Sequence, residues 1–512
     1  MKLCYSNQMR DMDRLAIEEH GIPGVELMSV AAQHIAEAAL ERLPLGGCAA
    51  VFCGTGNNGG DGIGAAACLI DKGVSVRTFL IGDENKLTPD SKEMLNILKA
   101  HGGAAERFSD SAEVEEYLSE CDVIIDAVFG IGLNSELRGE AAIAVSMINS
   151  SAAFVIAADI PSGVHADTGA ILRNAVNANI TVTFTYAKPG HFVEPGCIRC
   201  GEVRVRDIGI PSGLRGEGTG DIGQFVYAVT RGDVRLPHRR PDSHKGDYGR
   251  CLILAGSVGY TGAPALCARA ASRMGAGLVF LGVPEPIYHI MAVKLEEEMP
   301  FPLPCDREGR LGQAAADELL RRATECDVCL VGPGLGRSLE ITELVTSLIH
   351  EAKAPIVLDA DGLNAIADNL NVLGEASCPM VLTPHLGEFA RLGGELSSGD
   401  RLGTARDFAQ KHGCILVLKG HRTITALPDG TVYINTTGSP AMAKGGSGDV
   451  LAGMIAALIG QKIPINDAVV AAVYIHGLAG DMCAAEYGEY SVTASDIIGM
   501  IPKAILSLQR RE

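Results

Sequence analysis

Short apolar runs alternate with helical segments along the whole chain, and this alternation constrains the fold more than any other feature. The first half has strand-like runs at residues 49–54, 74–81, 123–128 and 154–159. Segments with helical periodicity precede or separate them, at residues 8–43, 63–72 and 91–100. Such alternation predicts a largely parallel, doubly wound α/β sheet of the Rossmann-like kind.

A second alternating series occupies the other half, with runs at residues 249–257, 277–283, 328–332, 354–359, 379–383 and 414–419. Between the two series, residues 211–223 (PSGLRGEGTGDIG) are rich in glycine and charge and lack apolar periodicity. This composition is typical of a linker. We therefore expect two α/β domains, over residues 1–218 and 219–512, which also fits a length of 512 residues.

Composition limits the partners of the chain. The formal net charge is −19, which disfavours binding to nucleic acid or to anionic membrane surfaces. No stretch of the sequence has the roughly 18 consecutive apolar residues of a membrane span. The fifteen cysteines are scattered through apolar contexts and are interpreted as reduced. We expect a cytoplasmic protein that forms a homo-oligomer.

The most informative motif of the second half is a glycine-rich loop before an apolar helical segment, residues 450–460. It reads Ala443-Lys444-Gly445-Gly446-Ser447-Gly448-Asp449. Glycines let successive N–H groups point into one space, and the helix that follows adds its positive end, so the loop predicts an anion site. Asp449 is then a candidate general base for phosphoryl transfer. The alternative is a glycine turn in which Asp449 caps the helix.

Two further segments follow apolar runs of the second half. They are Lys419-Gly420-His421-Arg422-Thr423 and Gly332-Pro333-Gly334-Leu335-Gly336. Ligands of open α/β sheets bind at the carboxyl ends of the strands. We expect both segments to converge with the glycine-rich loop on one site.

The second half contains three further motifs: HKGDYG at 244–249, YTGA at 260–263 and TPHLGE at 383–388. With all these motifs in this order, the second half resembles the ADP/ATP-dependent NAD(P)H-hydrate dehydratases of the ribokinase-like superfamily. The resemblance implies a ribokinase-like α/β/α sandwich that uses ADP, or alternatively ATP, with Mg²⁺ on the phosphates. It implies nucleotide binding by Lys419, Gly420, His421, Arg422, Thr423, Gly446, Ser447 and Gly448. It implies that the hydrated nicotinamide contacts Ala263, Gly336, His385 and Asp449.

In the first half, CGTGNNGGDG at residues 53–62 stands between a strand-like run and a helical segment. As a dinucleotide fingerprint the spacing is weak, but its asparagines and Asp61 add amide and carboxylate groups. Two more runs end near Asp126 and Asp159, so three strand ends predict one crevice. Asp159 is a candidate acid/base group, and the alternative is a carboxylate that caps the turn at Pro161.

Over residues 6–210 these segments are similar to the NAD(P)H-hydrate epimerase domain. The resemblance implies a K⁺ site at Asn58, Asp126 and Ser162, although a water molecule would satisfy the same oxygen atoms. It implies substrate binding by Asn57, Asn58, Gly59, Gly60, Asp61, Gly130, Ile131, Gly132, Leu133, Asn134, Ser135, Glu136 and Asp159.

Taken together, the two resemblances predict a bifunctional repair enzyme. Its first half would interconvert the R and S forms of hydrated NADH or NADPH, and its second would dehydrate the S form, converting ADP to AMP and phosphate. The alternative is a ribokinase-like small-molecule kinase fused to a non-catalytic binding domain.

Overall fold

The computed structural model describes residues 1–214, 225–396 and 399–509. The chain divides into an N-terminal unit, Lys2–Phe225, and a C-terminal unit made of Val226–Glu512 and Met1. Most of the predicted linker, and the predicted boundary between residues 218 and 219, lie outside the described residues.

A seven-stranded sheet forms the centre of the N-terminal unit, and all its strand pairs are parallel. The strand order is β4-β3-β2-β5-β6-β7-β8. The elements are β1 (Lys2–Leu3), α1 (Ser6–Glu18), α2 (Gly24–Leu40), β2 (Cys48–Cys53), α3 (Asn57–Asp71), β3 (Ser75–Leu80), α4 (Pro89–Ala100), β4 (Ala105–Arg107), α5 (Ala112–Glu120), β5 (Val123–Ala127), α6 (Gly139–Ser150), β6 (Phe154–Ala158), β7 (Ile180–Phe184) and β8 (Glu202–Arg206).

Helices cover both faces of this sheet because alternate strand residues point to opposite sides. On β2, Val51 packs in one apolar cluster with residues of α1 to α4. Its neighbour Phe52 packs in a second cluster with residues of α5 and α6. The predicted doubly wound parallel sheet is therefore confirmed.

Two helix boundaries differ from the prediction. The segment predicted as one helix over residues 8–43 forms α1 and α2, because Gly21 adopts a φ of 67° and Pro23 starts the second helix. Helix α3 begins at Asn57, six residues before its predicted start, so the asparagine-glycine segment is the first helical turn and not a loop. A Cβ atom at Gly59 would lie 1.9 Å from the carbonyl oxygen of Gly54, so only glycine lets the first turn of α3 pack this closely against the residue that follows β2.

The C-terminal unit is built on ten strands in the order β9-β18-β17-β16-β15-β14-β13-β10-β11-β12, counted over the described residues. Only the pairs of β17 with its two neighbours are antiparallel in this stretch. The elements are β9 (Val226–Val229), β10 (Arg250–Leu254), α7 (Gly262–Arg273), β11 (Leu278–Pro284), α8 (Glu285–Lys294), β12 (Met299–Leu303), α9 (Ala316–Ala323), β13 (Val328–Val331), α10 (Leu339–Glu351), β14 (Ile356–Leu358), α11 (Asp361–Ile366), β15 (Met380–Leu382), α12 (Leu386–Arg391), α13 (Arg401–His412), β16 (Ile415–Leu418), β17 (Ile424–Ala426), β18 (Val432–Asn435), α14 (Ser447–Gly460), α15 (Ile465–Tyr487) and α16 (Ala494–Gln509).

The central strands of this sheet are also buried on both faces. Ile253 of β10 packs in one cluster with residues of α7, α14, α15 and α16, while its neighbours Leu252 and Leu254 are buried as well. Among the described residues, Ile465–Tyr487 is the one helix long and apolar enough to cross a membrane, and 72% of its most apolar window is buried in the folded chain.

Candidate functional sites

A cavity of about 600 Å³ lies at the carboxyl ends of β2, β5 and β6 in the N-terminal unit. Helix α1 closes it with Asp13 and Arg10, and the segment after β7 contributes Lys188. From the predicted site the lining includes Asn57, Asn58, Asp61, Gly130, Ile131, Gly132, Leu133 and Asp159. We call this space the N-terminal cavity.

Three oxygen-bearing side chains lie close together beside the loop that follows β5. Ser162 Oγ donates to Asp126 Oδ1 at 2.6 Å and accepts from the Phe129 N–H at 2.9 Å. A Cβ atom on the next residue, Gly130, would lie 3.1 Å from Asn58 Oδ1. The structure therefore brings Asn58, Asp126 and Ser162 to one place.

Two features of this group are compatible with a bound cation. Both polar atoms of the Asn58 side chain are buried and have no hydrogen-bond partner in the described parts of the chain. Asp126 is fully buried, and its bonds come from the neutral groups of Ser162 and Val128. Burial raises the pKa of Asp126 to about 6, against the lowering effect of these bonds. A bound cation would compensate the negative charge of the buried Asp126 carboxylate.

Asp159 is held by a buried cluster at the end of β6. Its Oδ1 accepts from Lys188 Nζ at 2.5 Å and from Thr183 Oγ1 at 3.0 Å, and Lys188 Nζ also donates to Thr183 Oγ1 at 2.8 Å. The Asp159 carbonyl lies 2.8 Å from His191 Nε2. Asp159 has a φ of 62°, a conformation that residues other than glycine seldom adopt. So many contacts fix one orientation of the carboxylate, as is common at functional positions.

The charges in this cluster favour different protonation states for neighbouring groups. Burial opposes ionisation of Asp159, but Lys188 outweighs it and lowers the pKa of Asp159. Burial, followed by the charges of Asp159 and Asp13, raises the pKa of Asp61 well above its usual range. Burial and the nearby Lys188 lower the pKa of His191 to about 4, so its imidazole is neutral at pH 7.

Several predicted residues of this half do not line the cavity. Asn134, Ser135 and Glu136 are exposed beyond Leu133, where the lining ends. Gly59 and Gly60 are buried inside α3, and their lack of side chains allows close packing against Gly54 and Met28. Conversely, four residues of the site were not predicted from the sequence: Asp13, Lys188, Thr183 and His191.

In the C-terminal unit, the glycine-rich loop leads directly into α14. Gly446 adopts a φ of 95° and precedes Ser447, the first helical residue, so Asp449 lies in the first turn. A Cβ atom at Gly446 would lie 2.6 Å from Leu266 of α7, and one at Gly448 would lie 3.2 Å from Lys419 Nζ. The first turn of α14 therefore lies beside Lys419, and a helix N-terminus carries N–H groups without intrahelical partners and a partial positive charge.

Lys419 is part of a buried charge network. Its Nζ donates to Asp359 Oδ1 at 2.6 Å and lies 4.0 Å from Glu388 Oε2. Thr383 Oγ1 donates to the same Asp359 oxygen at 2.8 Å. Burial lowers the pKa of Lys419, but Asp359 and Glu388 outweigh it and the net pKa is raised. Lys419 therefore stays cationic beside the N-terminus of α14.

Asp449 titrates near neutrality in this surrounding. Burial and then the charge of Asp359 raise its pKa to about 7, against the lowering effect of Lys419. A carboxylate with a pKa near the working pH is suited to take and release a proton. This position favours the interpretation of Asp449 as a base over that of a helix cap, since its own helix has Gly446 as the N-cap residue.

The other predicted segments of this half reach the same strand ends. A Cβ atom at Gly332 would lie 1.8 Å from the Asp359 carbonyl oxygen, and one at Gly334 would lie 3.5 Å from Ala263 Cβ. The Gly336 N–H donates to Asp361 at 2.9 Å. These contacts place the 332–336 loop and the start of α7 beside Asp359 and its network.

The segment of residues 419–423 begins in this site with Lys419 and then continues to the protein surface. Gly420 and His421 are exposed, and Thr423 Oγ1 donates to the Gly420 carbonyl at 3.0 Å. Arg422 adopts a φ of 58° and donates to the Thr436 carbonyl at 2.6 Å. His385 pairs with Lys419 through an isolated β-bridge, while its half-exposed ring accepts from backbone N–H groups of its own helix.

Sequence reasoning missed several members of this network. Asp359 is the last residue of a predicted apolar run, and no motif marks it. Glu388 was recognised within its motif but not as a site residue. His476 lies on α15 with Nε2 3.4 Å from Ser447 Oγ, and burial lowers its pKa to about 4. Each lies tens of residues from its partner in the chain, so spacing gives no signal.

Two family models match the chain, one in each unit. A model described as YjeF-related protein N-terminus matches residues 24–190. A model described as NAD(P)H-hydrate dehydratase matches residues 251–503. The two matches contain Asp159, Lys188 and Asp449, while Arg10, Asp13 and His191 of the N-terminal site lie outside the first match.

Similar proteins extend over almost the full length. The bifunctional NAD(P)H-hydrate repair enzyme Nnr of Moorella thermoacetica is 40% identical, over 99% of this chain and 97% of its own length. Nnr of Thermofilum pendens is 39% identical, over 99% of this chain and 97% of its own length. A crystal structure of the ADP/ATP-dependent NAD(P)H-hydrate dehydratase from Bacillus subtilis is 30% identical, with a TM-score of 0.48, over 56% of this chain and 99% of that one. The chain therefore belongs to the family of bifunctional NAD(P)H-hydrate repair enzymes.

Proposed function

We propose that the chain repairs hydrated NADH and NADPH in two steps. The N-terminal unit epimerises the R and S hydrates, and the C-terminal unit dehydrates the S hydrate with consumption of ADP. The observation that carries the proposal is the position of Asp449, a carboxylate with a pKa of about 7 in the first turn of α14 beside the cationic Lys419. The near-complete coverage by relatives named as repair enzymes supports the same two activities.

The second step uses the helix end as a phosphate site. Asp449 takes the proton of the ring hydroxyl, whose oxygen attacks the terminal phosphorus of ADP, and AMP leaves. The ring nitrogen then expels the phosphate with its lone pair, and loss of a proton from the adjacent ring carbon restores the dihydronicotinamide. Lys419 and the first N–H groups of α14 stabilise the charge that develops on the phosphoryl oxygens.

The first step takes place in the N-terminal cavity at Asp159. Epimerisation requires the carbon–oxygen or carbon–nitrogen bond of the hydrated carbon to open and close again. Asp159 is fixed in orientation and kept ionised by Lys188, so it can accept a proton from a group bound in the cavity.

A potassium ion is proposed at Asn58, Asp126 and Ser162. The buried, unpartnered Asn58 amide and the buried Asp126 carboxylate without a cationic partner, both judged over residues 1–214, 225–396 and 399–509, fit a hard cation with oxygen ligands. When bound, it would offset the charge of Asp126. The residues themselves order the loop of Phe129 and Gly130 that borders the cavity.

Magnesium is proposed to accompany the nucleotide. No group of three or more His, Cys, Asp or Glu side chains in the described part of the chain is arranged as a metal site. Mg²⁺ commonly needs only one or two carboxylates besides the substrate phosphates. Glu388 is the candidate, because Asp359 is already paired with Lys419 and Asp449 is assigned as the base. The ion would neutralise phosphate charge.

A kinase joined to a non-catalytic binding domain remains the second candidate, because a helix N-terminus beside a lysine, as in the C-terminal unit, also suits the phosphates of a kinase substrate. It would release a stable phosphorylated product. The buried ion pair of Asp159 and Lys188 in the first cavity counts against a non-catalytic N-terminal unit.

The test supplies a mixture of R and S hydrates of NADH with ADP, ATP or no nucleotide, and follows the absorbance of dihydronicotinamide. We expect full recovery with ADP, formation of AMP and phosphate, and no recovery without nucleotide. Accumulation of a stable phosphorylated hydrate would instead establish the kinase.

A further inference from the structure

Four aspartates line the N-terminal cavity, Asp13, Asp61, Asp90 and Asp159, and two of them, Asp61 and Asp159, follow different strands of the sheet. Asp61 extends from α3, which follows β2, while Asp159 follows β6. Strand β5 lies between these two strands in the sheet. Neighbouring strands are about 4.8 Å apart, so β2 and β6 are separated by roughly 10 Å. A planar ring that binds over the end of β5 therefore has one carboxyl group on either side.

The two carboxyl groups differ in their partners. Asp159 is paired with Lys188 and hydrogen-bonded to Thr183. For Asp61, by contrast, the described residues provide no hydrogen bond and no ion pair, although it lies in the cavity wall. A polar side chain in a cavity wall without a protein partner is available to a ligand.

Their charge states differ as well. Burial and the negative charges of Asp159 and Asp13 raise the pKa of Asp61, whereas Lys188 lowers the pKa of Asp159, so Asp61 keeps its proton to a higher pH than Asp159 does. Two carboxyl groups whose environments separate their pKa values in this way form an acid and base pair.

We propose that Asp61 is a second catalytic residue of the epimerase, which acts on the face of the ring opposite Asp159, with Lys188 as the positioning residue of Asp159. The proposal rests on the epimerase function proposed above. It assigns the proton donor and the proton acceptor to separate sides of the cavity.

Asp61 donates its proton to the ring hydroxyl, the C–O bond breaks, water leaves, and the ring nitrogen lone pair forms a C=N⁺ bond. On the other face, a water molecule forms a new C–O bond to the same carbon while Asp159 takes its proton, and the C=N electrons return to nitrogen. One water is lost and one gained. Solvent in the open cavity returns the proton from Asp159 to Asp61, and the reverse reaction exchanges their roles.

This mechanism is tested by oxygen exchange in the full-length protein. Purified R hydrate is incubated in H₂¹⁸O without nucleotide, and the S hydrate is collected by chromatography at early times and analysed by mass spectrometry. We expect one ¹⁸O atom in each S molecule formed above the spontaneous rate of a sample without protein. An S hydrate that keeps its original oxygen indicates ring opening at the C–N bond and overturns the proposal.

A variant tests the residue. Asp61→Asn keeps the size of the side chain but cannot donate an acidic proton, so the initial rate should fall about 10²- to 10⁴-fold. The matched control, Asp71→Asn, makes the same change at the exposed end of the same helix and should leave the rate unchanged. An active Asp61→Asn variant overturns the proposal. Wild-type protein without epimerase activity would instead overturn the proposed function itself.

Discussion

Replacement of Lys188 by methionine removes the ammonium group that pairs with Asp159 while keeping most of the side-chain volume. Lys188 is 1% exposed and the Asp159 side chain 10%, so the carboxylate left behind is buried without its counter-charge. Removing one partner of a buried ion pair typically costs about 3–5 kcal/mol. For a unit of this size each kcal/mol lowers Tm by about 2–4 °C, so the N-terminal unit should lose about 6–20 °C.

Differential scanning calorimetry of the full-length protein measures this loss, and hydrogen exchange in the Ile180–Phe184 strand identifies the unit that unfolds. The deficit should shrink from pH 7 toward pH 4. Without Lys188, burial raises the pKa of Asp159 above its unfolded value, so the penalty is absent when the group is protonated and grows as pH rises.

The double variant Lys188→Met with Asp159→Asn is the control. It removes both charges and leaves no buried carboxylate, so it should be more stable than Lys188→Met alone. If the double variant is as unstable as the single one, the loss comes from packing, and the reasoning from an unpaired charge is refuted.

Three other outcomes follow from the sites. Asp449→Asn should lower the dehydration rate about 10²- to 10⁴-fold, yet ADP should still raise the Tm of the C-terminal unit, because the N–H groups of α14 remain; loss of this thermal shift contradicts the assignment of roles. In the wild type, ionised Asp449 is the base and its pKa is about 7, so kcat/KM for dehydration should rise with pH through that value. A flat profile from pH 5 to 8 speaks against it. Asp126→Asn should abolish any preference of epimerisation for KCl over choline chloride, and an unchanged preference rejects the proposed cation site.

The parts of the molecule that were predicted from sequence are those with local signals. Apolar runs marked the central strands of both sheets, and the glycine-rich loop marked the start of α14, because all its residues are contiguous. The start of α3 was placed too late, since Asn57 to Gly62 look like a loop when glycine propensity alone is considered. Tertiary packing against β2 explains why they are helical.

Long-range partners could not be predicted in the same way. Lys188 reaches Asp159 across 29 residues, and Lys419 reaches Asp359 across 60. Both lysines follow buried strands, but a lysine after a strand is usually an exposed loop residue. Sheet order decides which strand ends are neighbours, and the short motifs carry no information about it. No motif marks Asp13, which α1 brings to the N-terminal cavity.

The division of labour between Asp159 and Asp449 is tested most directly by giving each variant a mixture of R and S hydrates with ADP and following both epimers by chromatography. Wild-type protein should consume both. Asp159→Asn should consume the S form rapidly and leave the R form to slow spontaneous epimerisation. Asp449→Asn should recover neither but still interconvert them. An Asp159→Asn protein that clears the mixture as fast as wild type would show that Asp159 does not carry epimerisation and that the N-terminal unit is not an epimerase.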